Sequence, residues 1–118
     1  FVREPRIKKL LAKIQSNCDE KTDVITSLRK QQKELLKLGV QYGTPNFKNK
    51  KYLRVIRPTV KGSPRKFDYI GADKAKQAKC LDDLERGKQY KKVSEMIDHI
   101  ESNLTEIHAY LSRLQYMM

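Results

Sequence analysis

The stretch YLRVIRPTVKGSPRKFDYIG, residues 52–71, gathers the side chains best suited to chemistry on another molecule. Arg54, Arg57, Lys61, Arg65 and Lys66 stand there against a single acid, Asp68, with Tyr52, Phe67 and Tyr69 set among them. Guanidinium and ammonium groups hold phosphates, and arginine also pairs with guanine edges in the major groove. Aromatic rings stack on bases. In an extended strand, Tyr52, Arg54 and Ile56 share one face, and Leu53, Val55 and Arg57 share the other. On a returning strand, Arg65, Phe67 and Tyr69 alternate with Lys66, Asp68 and Ile70. The pattern predicts a basic ribbon with cations and aromatic rings interleaved on one side. Lys48, Lys50 and Lys51 before it, Lys61 at its tip, and Lys74, Lys76 and Lys79 after it are placed to reach phosphates.

The charge is regional. Residues 48–79 carry 11 Lys/Arg against Asp68 and Asp73, while residues 92–118 carry 2 against 4 Asp/Glu. Over all 118 residues the formal net charge is +12. Such a surplus attracts polyanions and says little about fold. The centre of the chain is the part expected to face one.

Other chemistries find less support. His99 and His108 are nine residues apart, whereas a metal pair on one helix face needs three or four. They read as ordinary helix-surface residues. Asp82, Asp83 and Glu85 could in principle do acid–base work or hold Mg²⁺. A solvated helix face balancing nearby lysines is the simpler expectation. There is no Gly-rich phosphate loop and no nucleophile-elbow motif, and no serine has a histidine at a suggestive spacing. The chain is expected not to be an enzyme and to use no cofactor and no metal. Cys18 and Cys80 form no CxxC pair and read as reduced, buried thiols of a cytoplasmic protein, nucleoid-associated if it binds DNA. No apolar run reaches the ~18 residues of a transmembrane helix, so no membrane partner is expected. The chain begins at Phe1 rather than Met, which leaves an upstream segment open.

The elements that must position the ribbon are helical. A single domain, 1–118, is expected, mainly α with a small β-hairpin. Its parts are a helix over 5–38, a loop over 39–51, the hairpin over 52–70, a helix over 73–86 and a heptad helix over 88–118. Pro5 suits a first helical turn and Gly39 a C-terminal cap. In the first helix Ile7, Leu11, Ile14, Cys18, Ile25, Leu28 and Leu35 fall on four–three steps, which Lys21 and Gln32 interrupt. Lys61-Gly62 supplies the hairpin turn, within a loop over 59–63. Asp73 is placed to cap the next helix, and Gly87 marks a break or kink. After it, Val93, Ile97, Ile100, Leu104, Ile107, Leu111, Leu114 and Met118 keep the four–three step throughout. A seam that regular wants a helical partner. Two are open: the first helix folding back as an antiparallel, coiled-coil-like hairpin with the ribbon inserted, or a second chain in a homodimer.

Around these residues the chain resembles a loose group of small uncharacterised proteins of phages, plasmids and other mobile elements. The shared pattern is Tyr52, Leu53, Arg54, then Gly62, then Tyr69, Ile70, Gly71, and later Gly87 and Tyr90, with Val93 in place of leucine. The order of elements is also similar to the arm-binding domains of tyrosine integrases, which read DNA with a β-sheet, although the third strand of those domains is not evident in the sequence. A further likeness is to the helix–hairpin–helix order of prefoldin β subunits. The first resemblance implies a mobile-element setting and the second implies DNA binding. Duplex DNA is the favoured partner. RNA remains open, as does a host protein, for instance a host machine or an RNA-guided nuclease that the chain would inhibit.

Overall fold

The computed structural model describes residues 4–117. The order is α1 (Glu4–Leu38), β1 (Thr44–Lys48), β2 (Tyr52–Ile56), β3 (Phe67–Gly71) and α2 (Lys74–Met117). The chain is mainly helical, with a small antiparallel sheet between the two long helices in sequence. It divides into two compact units. One comprises residues up to Gln31 and from Val93 on, and the other is the continuous segment Gln32–Lys92.

The sheet has three strands in the order β1-β2-β3, so the expected loop over 39–51 contains a strand. Its sequence, TPNFK, hid it: Pro45 cannot donate to a ladder and Asn46 is a poor strand former. Proline is tolerated there because β1 is an edge. The turn between β1 and β2 is closed by the Lys51 N–H donating to the Lys48 carbonyl at 3.2 Å. Asn49 and Lys50 both take positive φ, 55° and 57°, the pair of values a type I′ turn demands. The β2–β3 connection is longer than the sequence suggests. The strands end at Ile56 and begin again at Phe67, beside Pro58 and Pro64, although the Arg57 N–H still reaches the Lys66 carbonyl at 3.0 Å. A register shift opposite Leu53/Arg54 makes Ile70 the extra residue of a bulge.

Under the sheet lies the core of the continuous unit. Leu53 and Val55 are 0% exposed and cluster with Cys80 and Leu84 of α2, with Ile70 and Leu81 packed against them. Each such side chain contributes about 1.5–3 kcal/mol when fully buried, and a lone two-stranded ribbon is marginal in water. The helix beneath is therefore what makes the sheet stable. Asp73 caps that helix, as its position suggests. Its carboxylate accepts from the N–H groups of Ala75 (2.9 Å) and Lys76 (3.4 Å). Gln77 then donates to the carbonyls of Gly71 (2.7 Å) and Lys51 (2.9 Å), tying the first turns of α2 to both the end of β3 and the β1–β2 turn.

In the other unit the seam closes within the chain. Ile25 and Leu28 of α1 are buried with Ile97 of α2, and Val93, Ile100 and Leu104 pack on them. Arg29 pairs with Glu101 alongside. Farther along, Ile14 and Lys21 line a groove with Ile107, Leu111 and Leu114, so the two helices run antiparallel. Lys21 and Gln32 do not interrupt the seam. Both are half-buried and in phase with it; Lys21 lines the groove with Ile107, Leu111 and Leu114, while Gln32 opens the continuous unit. Met118 lies outside the described residues.

The expected break at Gly87 does not occur, and α2 runs through it. The glycine serves a contact instead. A Cβ there would lie 2.0 Å from the Gln41 carbonyl oxygen and 3.4 Å from Cδ1 of Tyr42. Helix propensity alone favours alanine by about 1 kcal/mol, but the steric conflict is with backbone, and forcing atoms into filled space typically costs ~1–3 kcal/mol or more. Gly87→Ala should therefore lower the urea midpoint. A midpoint at or above the wild-type value would show that the 41–42 segment does not rest on α2.

Candidate nucleic-acid interface

The sheet register decides which side chains stand together. Asn46, Arg54 and Tyr69 align across the three strands, as do Thr44, Ile56 and Phe67, and Lys48 faces Tyr52. These residues form the face turned away from the buried Leu53 and Val55. Arg54 holds the centre. Its guanidinium carbon lies 5.1 Å from the Phe67 ring centroid, and its Nε is 3.4 Å from Oδ1 of Asn46. Lys51 Nζ lies 5.8 Å from the Tyr52 ring centroid. Tyr69 is 72% exposed, and Tyr52 and Phe67 are also open to solvent. The aligned positions of this face include no carboxylate. The alternation expected from sequence is therefore present, and β1 adds Lys48 and Asn46 to it.

The remaining basic residues surround this face unevenly. Lys48, Lys50 and Lys51 cluster at the β1–β2 turn, and all three are exposed. Lys61, Arg65 and Lys66 are exposed on the β2–β3 connection. Lys74 and Lys76 are exposed in the first turns of α2. Of the seam positions, Ile97 is buried, Val93, Ile100, Leu104, Ile107 and Leu111 are half-buried, and Leu114 is exposed. The seam positions belong to the other unit.

Arg57 departs from the expected role. It follows β2 on the side of Leu53 and Val55, and its guanidinium is spent within the protein. Nε donates to Asp68 at 2.6 Å, Nη1 to the Tyr42 carbonyl at 3.1 Å and Nη2 to Gln41 at 3.1 Å. A guanidinium with three directed partners braces the 41–42 segment against the sheet.

The acidic cluster on α2 also departs from expectation. Asp82 and Glu85 are exposed, but Asp83 is only 4% exposed and is not a solvated carboxylate. Gln41 Nε2 donates to it at 3.0 Å, Arg86 pairs with it, and its own carbonyl accepts from the Gln41 N–H at 2.9 Å. Arg86 in turn donates to the Gly39 carbonyl at 2.7 Å. Gly39 ends α1 at φ 106°, a conformation side chains resist, and a Cβ on it would meet Asp83 Oδ1 at 3.2 Å. Burial pushes the Asp83 carboxyl up. The hydrogen bonds from Gln41 and Arg86 and the charges of Lys79 and Arg86 outweigh it and hold the group below its ordinary value. Burial raises the neighbouring Cys80 thiol, partly offset by Arg57 and reinforced by Asp83 and Asp68. Cys80 is a protonated core residue and Cys18 is half-buried; neither is in a disulfide.

Sequence reasoning also passed over Lys88 and Lys91. With Arg65 they line an open cleft beside the 41–44 segment. The available signal was their spacing of three just after Gly87, which sets them on one side of a helix. No family model, no curated protein and no solved structure matches the chain.

Substitutions at Asp83 and Lys50 test this account. A carboxyl whose folded pKa is depressed stabilises the fold above its unfolded value, about 4, and that contribution is lost as pH falls through the lower folded value. Asp83→Asn should thus flatten the loss of stability below about pH 4. At neutral pH it should cost about 1–3 kcal/mol, because the half-buried Arg86 loses its charge partner. Urea melts across pH 2–7 check both; an unchanged acid slope would count against the network. At the turn, Lys50→Gly should raise stability by about 1 kcal/mol, since the left-handed conformation penalises lysine and not glycine. Thermal melts of the two proteins would reveal an unstrained Lys50 if the midpoint did not rise.

Proposed function

We propose that the protein is a non-enzymatic binder of duplex DNA, of mobile-element origin, that docks the open face of its three-stranded sheet in the major groove. The observation that carries this reading is the face itself. Arg54, Tyr52, Phe67, Tyr69 and Lys48 stand together without a carboxylate, on the side of the sheet away from Leu53 and Val55. A ribbon of strands fits the major groove, and an arginine projecting from it can pair with guanine edges. Lys50 and Lys51 at one turn, Lys61, Arg65 and Lys66 on the long connection, and Lys74 and Lys76 on α2 would take phosphates, giving affinity without sequence information. The chain runs as three strands and then a helix, and the likeness to integrase arm-binding domains rests on that order alone. Arg57 is left out of the interface, because its donors already have partners.

A second reading has its own observation. Three exposed rings on one face could stack on unpaired bases, which favours single-stranded DNA or RNA. One titration separates the readings. The chain is titrated with labelled duplex DNA, single-stranded DNA and RNA at low and moderate salt. Duplex affinity should fall roughly 10³–10⁵-fold between about 50 and 200 mM salt if six to ten phosphates are engaged. Arg54→Ala combined with Tyr69→Ala should abolish sequence preference and most of the affinity while the fold is kept. A flat salt response, or duplex binding indifferent to this variant, rejects the sheet as the interface. Tighter binding of RNA or single strands selects the stacking reading.

A further inference from the structure

Beside the sheet, the continuous unit contains a cleft of about 490 Å³, within the size range of small-ligand sites. Arg65 from the β2–β3 connection and Lys88 and Lys91 from α2 line it. Among the described residues none of the three is paired with a carboxylate, and no acid lines the cleft. Arg57 also borders it, but its charge is balanced by Asp68. The cleft therefore sets three uncompensated cations around one small space. Lys88 and Lys91, three apart on one helix face, oppose each other there. The rest of the wall is mixed: Tyr42, 44% exposed, Pro58 and Leu84 are apolar, and Gln41, Thr44 and Thr59 are polar. Gly87 matters here as well. The absence of its Cβ lets the Gln41–Tyr42 backbone seat on α2 and places the Tyr42 ring next to the two lysines.

We propose that this cleft binds a nucleoside phosphate, with Arg65, Lys88 and Lys91 on the phosphate oxygens and the base against Tyr42 and Pro58. Charge-assisted hydrogen bonds from converging cations are the strong form of phosphate recognition, and an arginine among them adds planar, two-pronged geometry. Tyr42 and Pro58 are what an inorganic anion would leave unused. The volume admits one nucleotide and not a double helix, so the cleft is a second site, sharing only Arg65 with the surface proposed for duplex DNA. The same chemistry has two sources, a free nucleotide or the phosphorylated 5′ end of a strand.

The test is an amide NMR titration of the isotope-labelled full chain at constant ionic strength. The probes are ADP, 5′-phosphorylated dithymidine, unphosphorylated dithymidine and inorganic phosphate. Saturable shifts at Gly43, Thr44, Gly87 and Lys88 are expected with ADP if the source is free nucleotide, and with the phosphorylated dinucleotide alone if it is a strand end. Inorganic phosphate should bind more weakly than either. Lys88→Gln combined with Lys91→Gln, both exposed and both good helix formers once replaced, should weaken the bound probe roughly ten- to a hundredfold. Arg54→Ala combined with Tyr69→Ala should leave it unchanged, which separates this site from the sheet face. Non-saturating shifts with both nucleotides, or equal responses to ADP and inorganic phosphate, would overturn the proposal. So would ADP affinity that survives the double lysine variant.

Discussion

The continuous unit depends on one buried carboxylate. Asp83 joins three separate pieces of chain: Gly39 at the end of α1 through Arg86, the 41–42 segment through Gln41, and α2 on which it sits. Gln41 also meets Arg57, whose other donors reach Tyr42 and Asp68, so the network extends from α2 to the end of β2 and on to β3. Burying a charge is costly unless it is paired and hydrogen-bonded. Here every buried side-chain polar atom among the described residues finds a partner. A network of this kind specifies one arrangement, because a displaced loop would strand a charge in the interior. The apolar cluster of Leu53, Val55, Cys80 and Leu84 supplies burial, and the polar network supplies alignment.

That division explains what was legible in the sequence. Periodic signals were readable because each residue carries its own contribution to the pattern. The four–three steps of both helices, the alternation of Leu53 and Val55 with Tyr52 and Arg54, and the cap at Asp73 are of this type. Signals that depend on a distant partner were not readable. TPNFK is a strand only because β2 lies beside it. Gly87 looks like a helix breaker until Gln41 is found against it, and Asp83 looks like surface until the 39–42 segment covers it.

The site shows the same limit in a sharper form. Arg54 and Arg57 lie on one short stretch, with the same charge and nearly the same surroundings in sequence. Their parity differs, and parity sends one to solvent beside Phe67 and the other to Asp68, Gln41 and Tyr42. The alternation was available from sequence, and the apolar pair Leu53 and Val55 already marked which side would be covered. Net charge alone could not make that distinction, since it counts a structural guanidinium and a solvent-facing one alike. Lys88 and Lys91 escaped for the converse reason: their surroundings are assembled from the 41–44 segment and the β2–β3 connection, which sequence distance conceals.

The division of the chain also has a temporal meaning. The unit spanning Gln32–Lys92 is one uninterrupted segment, whereas the helical seam joins residues before Gln31 to residues after Val93. On a growing chain, Ile25 and Leu28 have no partner until Ile97 has been made. Closing so long a gap between flexible ends carries an entropic cost that a folded intervening segment largely removes. The sheet and the helix beneath it can complete themselves first from near neighbours, and local pairings of that sort form fast. A folded middle segment thus shortens the search by which Ile25 and Leu28 find Ile97.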